Sequence, residues 1–298
     1  MKTHLSAVNF LGGRRSGALL VLAGLLAGCG LQKDVDVKLP SYDSELVLEC
    51  YLQNGVVPSL TVIESVSYLG SVLPTVPTDV TVALTLPDGS TQPLAFNPNP
   101  AALRDVTLRD TVLNEKFHTH IGTVPVVARP GDVFTITAFD TQGRRVTGTA
   151  TVPTDVAIDS VEYKFNDKTG SARKAYFLTN FRDPAPLGDT YRIQLHKGNP
   201  ARGVLRRRPE TDLFLEDRLN NGRSFTVGTS YRFLAGDTVT ATLYHSDLAF
   251  FRFRNSLNNA ANANGNPFAQ PSAIYSTVQG GLGIFTVLNF QRLTKVVR

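Results

Sequence analysis

The sequence predicts a mostly β protein of two antiparallel units, each sandwich-like or barrel-like, the first immunoglobulin-like and the second carrying one helix. Apolar and polar residues alternate with a period of two in many short runs, of which Val133–Phe139 is the clearest. Turn residues separate these runs, as at Asp88-Gly89. A single segment, near residues 247–262, has helical spacing instead. Because strands dominate, we expect β-sheets to form both cores.

The first 28 residues have the three parts of a lipoprotein signal peptide. Arg14 and Arg15 form a basic region, an apolar run extends from Ala18 to Leu26, and small residues precede Cys29. The run is too short to span a bilayer, which takes about 20 apolar residues. The sequence therefore predicts that residues 1–28 are removed and that lipid on Cys29 anchors the exported chain to a membrane. The alternatives are an ordinary signal peptide with a chance cysteine, or a buried N-terminal helix.

Residues 29–41 form a predicted polar tether between the lipid and the folded body. The signal segment also carries much of the basic character of the chain. Removal of Lys2, Arg14 and Arg15 lowers the formal net charge from +5 to +2. Because an exported protein with so small a net charge has little attraction for phosphate backbones, we expect no nucleic-acid partner.

Residues 42–153 form the predicted N-terminal unit, which ends where Pro153 interrupts the alternation. Its strand-like runs are Glu45–Leu52, Thr78–Leu86, Val106–Leu113, Val133–Phe139 and Arg145–Val152. Cys50 lies in the first run, and because Cys29 is committed to lipid we expect no intramolecular disulfide. We interpret Cys50 as a buried structural thiol. The alternative, a nucleophile, requires a nearby histidine.

Residues 154–298 form the predicted C-terminal unit, with its helix near 247–262. Ser246 is the expected N-cap of this helix. The apolar stripe that should pack against the second sheet consists of Leu248, Phe251, Phe253 and Leu257. The strand-like runs of this unit are Val156–Phe165, Ala175–Phe181, Tyr191–Leu195 and Thr238–Tyr244.

Gly-Asp pairs begin three of the predicted strands. They are Gly131-Asp132, Gly188-Asp189 and Gly236-Asp237, and the first and third are followed by similar alternating residues. Gly-Asp is a common turn pair, so the similarity is compatible with two related β-units without requiring them.

Familiar catalytic motifs are absent from the sequence. It has no His-Glu-x-x-His zinc motif, no P-loop, no Gly-x-Ser-x-Gly elbow and no Asp-x-Asp-x-Asp-Gly calcium run. His118 and His120 have a metal-compatible spacing, because alternate residues of a strand share a face. A site would need a third ligand, so we prefer solvent-facing histidines. We expect no metal, no cofactor and no enzymatic activity.

Four arginines, Arg202, Arg206, Arg207 and Arg208, make the densest basic patch of the sequence. Clustered arginines bind phosphate bidentately, so this patch is a candidate contact to anionic glycolipid. The alternative is a solvated hairpin, which needs no ligand.

Several segments of the chain resemble the lipoprotein family known as domain of unknown function 4249. They are, in order, the lipobox before Cys29, an early Leu-Val-Leu-Glu strand, Val152-Pro153, Gly236–Thr240, Asn266–Pro271 and Gly280–Phe285. The last two segments are the most specific, and Cys50 departs from the family pattern. In Asn266–Pro271 the flanking prolines would hold Phe268 in an extended segment, with a structural role expected and partner binding as the alternative.

This resemblance implies an outer-membrane lipoprotein of the Bacteroidota type, often encoded near a TonB-dependent receptor, with no established catalytic residues. Together with Cys29 it predicts a non-enzymatic accessory or binding component of such a receptor. The tether indicates the cell surface, with the periplasmic leaflet as the alternative location. Two other hypotheses are a hydrolase whose acid and base lie on separate loops, and a structural or adhesive surface protein. Carboxylates or histidines clustered in a deep pocket would favour the hydrolase.

Overall fold

The computed structural model describes residues 42–66, 75–98, 118–185, 187–202, 204–205, 209–263 and 273–298. Within these ranges the chain forms sixteen β-strands in three sheets and one α-helix. The mostly β prediction, with its single helix, is therefore confirmed. The predicted run Val106–Leu113 lies outside the described residues.

The strands that precede the predicted boundary are β1 (Leu46–Leu52), β2 (Ser59–Glu64), β3 (Thr81–Thr85), β4 (Thr91–Phe96), β5 (His120–Ile121), β6 (Val133–Phe139) and β7 (Arg145–Thr151). The elements that follow it are β8 (Ile158–Phe165), β9 (Ala175–Arg182), β10 (Asp189–Asn199), β11 (Val204–Leu205), β12 (Thr211–Glu216), β13 (Ser224–Gly228), β14 (Thr238–Asp247), α1 (Leu248–Ala263), β15 (Leu282–Val287) and β16 (Asn289–Val296).

The first sheet has eight strands in the order β15-β1-β2-β5-β4-β3-β6-β7. Alternate residues of its strands face one apolar core, so that β1 buries Leu46, Leu48, Cys50 and Leu52 while the residues between them are half-buried. The sheet curls until its two ends meet, because Thr147 of β7 exchanges two backbone hydrogen bonds with Gln279, close to β15. This closure produces the sandwich-like or barrel-like arrangement expected from the alternation.

Two aspartate–glycine turns close hairpins in this sheet. Between β3 and β4, the carboxylate of Asp88 accepts a hydrogen bond from the backbone of Ser90, and Gly89 has a φ of +84°. Between β6 and β7, the carboxylate of Asp140 accepts from the backbone of Gln142 and Arg144. The first of these is the turn that the sequence predicts, since aspartate bonds nearby backbone and glycine supplies the positive φ.

Cys50 lies in the first core. Its side chain is fully buried, and Sγ lies 3.8 Å from the carbonyl oxygen of Ser59 on the neighbouring strand β2. The prediction of a buried thiol is confirmed. A thiol with no solvent access behaves as a small apolar side chain rather than as a nucleophile.

The strand β15 departs from the predicted division at residue 153. It follows α1 in the sequence, yet it pairs with β1 in the first sheet. It runs parallel to β1, whereas the sequence predicts antiparallel units. Phe285 and Val287 of β15 complete the first core together with Val278. Alternation shows that a segment is a strand but not which sheet it joins, so no local pattern reveals this return.

The second core lies between two further sheets. One contains β11-β10-β14-β16 with β12 also paired to β10, and the other contains β13-β9-β8. Aromatic side chains fill the space between them; Phe181 and Phe225, for example, stack with ring centroids 5.0 Å apart. Aromatic pairs of this kind bury a large apolar area. Because two sheets face each other across this core, it is also sandwich-like.

The helix α1 follows β14 directly. Asp247, rather than the predicted Ser246, is its N-cap, because the Asp247 carboxylate accepts a hydrogen bond of 2.8 Å from the backbone of Phe250. Ser246 is instead buried in the sheet, 2.9 Å from the hydroxyl of Thr190. The start of the helix therefore lies one residue later than predicted, and Phe250 rather than Phe251 is fully buried.

A third apolar cluster joins α1 to the sheets. Phe250 and Phe253 of the helix pack with Tyr244 of β14 and Ile284 of β15. The ring of Tyr51 on β1 meets Phe250 edge to face at 5.9 Å. Because these side chains come from both the first and the second sheet, residues Asp43–Arg298 group into one compact unit. No helix in the described part of the chain is long and apolar enough to cross a bilayer.

Candidate functional site

Most of the site residues that the sequence predicts lie outside the described residues. These are Cys29, Arg206, Arg207, Arg208 and Phe268, and the side chain of Arg202 is likewise not described. The two histidines, His118 and His120, can be placed in the fold.

His120 opens β5 and is fully buried, so the expectation of a solvent-facing side chain is wrong for this residue. Its Nε2 lies 3.1 Å from the carbonyl oxygen of Val80, and its Nδ1 lies 2.9 Å from the hydroxyl of Thr119. Burial lowers the pKa of His120, and the hydrogen bond to Val80 opposes this only in part. His120 is thus a neutral core histidine that ties β5 to the loop before β3.

His118 is half-buried and lies before β5 rather than within it. Neither histidine belongs to the group of side chains that could hold a metal ion within the described ranges, which consists of Asp183, Asp189 and Asp217. A ligand atom of each of these aspartates lies within 4.8 Å of the others. We call these three residues the acidic cluster.

The acidic cluster lies where three strands begin or end. Asp183 follows β9, Asp189 opens β10, and Asp217 follows β12 at the start of a 3-10 turn. Asp183 and Asp217 are buried, whereas Asp189 is half-buried. Two connections meet here, the loop between β9 and β10 and the loop between β12 and β13. We call them the paired loops.

Two of the aspartates bind the backbone of the paired loops. Oδ2 of Asp217 accepts hydrogen bonds from the backbone nitrogens of Gly188, at 2.7 Å, and Asp189, at 3.1 Å. Oδ2 of Asp183 accepts one from the backbone nitrogen of Gly222, at 2.7 Å. Each loop thus supplies the carboxylate that binds the backbone of the other loop. Charge-assisted bonds of this kind are the stronger hydrogen bonds in proteins, so the carboxylates fix the loops to each other.

Asp183 also receives the hydroxyl of Tyr191, which donates to Oδ1. Burial raises the pKa of Tyr191, and the hydrogen bond to Asp183 raises it further. The phenol therefore stays protonated and acts as a donor. Its ring stacks on that of His245, with centroids 5.1 Å apart.

His245 completes the site from β14. Its Nε2 lies 2.8 Å from Oδ1 of Asp189, and its Nδ1 lies 2.7 Å from the carbonyl oxygen of Thr154. Both ring nitrogens are thus engaged by protein acceptors. A general base needs a lone pair directed at its substrate, so this arrangement binds the linker after β7 to the sheet rather than presenting a base.

A cleft of about 290 Å³ lies beside His245. Its walls come from the linker after β7 and from the start of β16, and the lining residues are Asp155, Val156, Ala157, His245, Asn289, Phe290 and Gln291. The amide of Asn289 donates to Asp155 at 2.6 Å across this region. The cleft is at the small end of the range for ligand sites, and it is mixed polar and apolar in character.

The acidic cluster has oxygen atoms of the kind that hard cations prefer, since Ca²⁺ takes about six to eight oxygen ligands. Hydrogen bonds within the protein already engage these carboxylate oxygens. Asp183, Asp189 and Asp217 receive hydrogen bonds from Tyr191, from His245 and from three backbone nitrogens. The cluster therefore serves as a clamp for the loops.

The sequence carries one partial sign of this site, the pair Gly188-Asp189. In the first and third Gly-Asp pairs, Asp132 and Asp237 accept a hydrogen bond from the backbone three residues earlier, at 2.9 and 2.8 Å. Asp189 instead binds His245. The three pairs look alike in sequence. Only the fold shows that Asp132 and Asp237 accept hydrogen bonds within their own turns, whereas Asp189 belongs to the acidic cluster.

No protein-family model matches the chain, and no curated protein matches it. Among solved structures, a cytokine receptor complex is similar at 10% identity over 84% of this chain and 95% of that chain, with a TM-score of 0.24. A Salmonella alpha-2-macroglobulin reacted with methylamine is similar at 12% identity over 89% of this chain, which spans only 15% of that chain, with a TM-score of 0.25. At such TM-scores neither similarity carries an argument about fold or function.

Proposed function

We propose that the protein is an exported lipoprotein, anchored in the outer membrane through lipid on Cys29. We further propose that it acts as a non-enzymatic accessory or binding component beside a TonB-dependent receptor. The observation that carries the proposal is the order of Arg14-Arg15, the apolar run Ala18–Leu26 and the small residues before Cys29. The resemblance to domain of unknown function 4249 is the reason for proposing the outer membrane as the location and a TonB-dependent receptor as the partner.

The position of the folded body supports this anchor. The first strand begins at Leu46, a few residues after the predicted tether 29–41. At about 3.4 Å per extended residue, the tether could span roughly 40 Å. A compact unit on such a tether can reach a receptor in the same membrane while it stays clear of the lipid headgroups.

The hydrogen bonding of the site supports a role without catalysis. The histidine and the carboxylates that a hydrolase would need are held by backbone and side-chain partners within the fold, as at His245 and Asp217. Freeing His245 for catalysis would break a contact to Asp189 or to Thr154. The polar groups of this region therefore stabilise loops that a partner could contact.

Affinity purification of the lipidated protein from native membranes tests the proposed partnership. We expect a TonB-dependent receptor to copurify after mild crosslinking, and we expect its yield to fall strongly when Cys29→Ser removes the anchor. Recovery of the lipidated protein with neither a receptor nor a porin would contradict the proposal.

The cleft beside His245 favours one other function, hydrolysis of a small substrate. Its test is turnover of ester, glycoside and phosphoester substrates by the purified protein, with His245→Asn as the comparison. Turnover that His245→Asn abolishes, in a variant that retains its fold, would replace the non-enzymatic proposal. Equal background rates in the parent and in His245→Asn would support the non-enzymatic proposal.

A further inference from the structure

Two asparagine–glycine pairs lie in the described ranges, Asn54-Gly55 between β1 and β2 and Asn221-Gly222 between β12 and β13. This dipeptide is chemically labile, because a glycine has no side chain to keep its backbone nitrogen away from the preceding asparagine amide. Both asparagines are exposed. The hydrogen bonds around the two pairs differ, and this difference predicts different chemical fates.

In Asn54-Gly55 both reacting groups are held by the fold. Oδ1 of Asn54 accepts a hydrogen bond of 3.0 Å from the backbone nitrogen of Ala128. The backbone nitrogen of Gly55 donates to the carbonyl oxygen of Val126 at 2.8 Å. A carbonyl oxygen is too weak a base to remove an amide proton, so this contact does not activate the nitrogen. The fold therefore protects this pair.

Asn221-Gly222 has the opposite arrangement. The side chain of Asn221 makes no hydrogen bond within the part of the chain that the structure describes. The backbone nitrogen of Gly222 donates to Oδ2 of Asp183 at 2.7 Å. This distance lies within the range of about 2.6–3.2 Å over which a general base can remove a proton. The hydroxyl of Tyr191 donates to Oδ1 of Asp183 and so helps to orient the carboxylate. A carboxylate base and an unrestrained amide thus meet at one peptide nitrogen.

We propose that Asn221 is a self-catalysed deamidation site, with Asp183 as its general base. The nitrogen of Gly222 forms a bond to Cγ of Asn221 while its proton passes to Asp183. The bond between Cγ and Nδ2 then breaks, and ammonia leaves with that proton. Water opens the resulting succinimide ring to aspartate or isoaspartate at position 221. Because the Asp183 carboxylate is regenerated, the reaction consumes only water.

The isoaspartate product loosens the paired loops. It lengthens the main chain by a methylene group before Gly222, which moves the Gly222 N–H away from Asp183. The carboxylate then keeps the hydroxyl of Tyr191 but loses its bond to the opposite loop. Because the reaction is irreversible, the loosened fraction grows with the age of the protein.

Peptide mass spectrometry of the purified full chain, incubated at neutral pH, tests the proposal. Replacement of an amide by a carboxyl group raises the mass of a peptide, and fragmentation identifies the modified residue. We expect Asn221 to react at least ~10-fold faster than Asn54, since general-base catalysis contributes about 10²–10⁴-fold. In urea, where neither pair keeps its folded contacts, the two rates should be similar.

Two variants separate the base from the loop structure. Asp183→Asn keeps an oxygen that can accept the Gly222 N–H but cannot take its proton, so Asn221 should react at least ~10-fold more slowly. Asp217→Asn is the matched control, because Asp217 belongs to the same cluster but binds the backbone of Gly188 instead. It should leave the rate at Asn221 within about twofold of the parent.

Circular dichroism verifies that each variant is folded, and the comparison of Asn221 with Asn54 in the parent needs no variant. Equal rates at these two residues in the folded parent would overturn the proposal. So would an unchanged rate at Asn221 in folded Asp183→Asn, or equal slowing by both variants, which would assign the effect to the loops rather than to a base.

Discussion

At the scale of single residues, close backbone contact explains the glycines of the Gly280–Phe285 segment. Gly283 has a φ of +119°, and a Cβ atom at this position would lie 2.0 Å from the carbonyl oxygen of Leu48. At Gly281 a Cβ atom would lie 2.4 Å from the carbonyl oxygen of Leu46. Real side-chain carbons do not approach backbone oxygen so closely. The absence of side chains therefore allows β15 to pair in parallel with β1.

We predict that Gly283→Ala lowers the free energy of unfolding by roughly 3 kcal/mol or more, because it adds a steric clash to an unfavourable φ. Gly131→Ala is the control, since Gly131 has a φ of +88° and an added Cβ atom there would meet no neighbouring group within 4 Å. It should cost only about 1–2 kcal/mol. Urea denaturation followed by circular dichroism measures both values. Equal losses would show that β15 does not approach β1 in this way.

His120 gives a second prediction at this scale, which concerns pH. Because burial lowers the pKa of His120 in the folded chain, the unfolded chain binds a proton more readily. This histidine therefore destabilises the fold as pH falls below the unfolded pKa of about 6.5. His120→Gln should lose less stability than the parent as the pH falls from neutral through about 6.5 towards the lower folded pKa of His120. Urea denaturation at several pH values tests this, and parallel curves for the two proteins would contradict it.

At the scale of elements, the sequence predicts the clearest alternating runs, although it misses β2 and β13, whose residues also alternate in burial. The alternating run Val133–Phe139 is a strand with the predicted bounds, and the helix begins within one residue of its predicted start. β16 escapes prediction, because its residues are mostly half-buried or exposed and do not alternate. β4 contains Pro93, which argues against a strand even though the segment pairs on both sides.

The acidic cluster could not be predicted, because its members come from two connections that lie far apart in the sequence. Asp183, Asp189 and Asp217 each look like an ordinary turn residue beside glycine, proline or arginine. Their approach depends on the pairing of β10 with β12 and of β9 with β13, and hence on sheet order. Alternation gives the face of a strand but not its neighbour, so no local pattern could place these carboxylates together.

The N-cap of α1 provides the prediction at this scale. Asp247→Ala should lower the free energy of unfolding by about 1 kcal/mol, because the backbone N–H of Phe250 loses its acceptor. Asp247→Ser should retain most of that stability, since serine also caps helices. Chemical denaturation gives both values. If the alanine and serine variants are equally stable, the carboxylate does not cap the helix.

At the scale of the whole molecule, the return of β15 makes the first sheet depend on the end of the chain. β1 has β15 as its partner on one edge, and Val278, Phe285 and Val287 lie in the first core. The third apolar cluster then joins this region to α1 and β14. The two β-units that the alternation suggests therefore share a core strand, and we expect them to unfold together.

A fragment of residues 42–153 tests this dependence. It contains β1–β7 but lacks the strand beside β1 and the three core side chains named above, so its apolar core would be open to water. We predict that it shows no cooperative unfolding transition, while residues 42–298 unfold in a single transition by circular dichroism. A folded fragment with a transition of its own would show that the N-terminal unit is independent of β15.

The proposed attachment of the folded body to a membrane through Cys29 has a decisive test in mass spectrometry of the mature protein isolated from its own cells. We predict an N-terminal peptide that begins at Cys29 and carries acyl chains, recovered with the outer membrane. Cys29→Ser should give an uncleaved chain without lipid. A mature wild-type protein that begins elsewhere, or that carries an unmodified Cys29 in the soluble fraction, would refute this attachment.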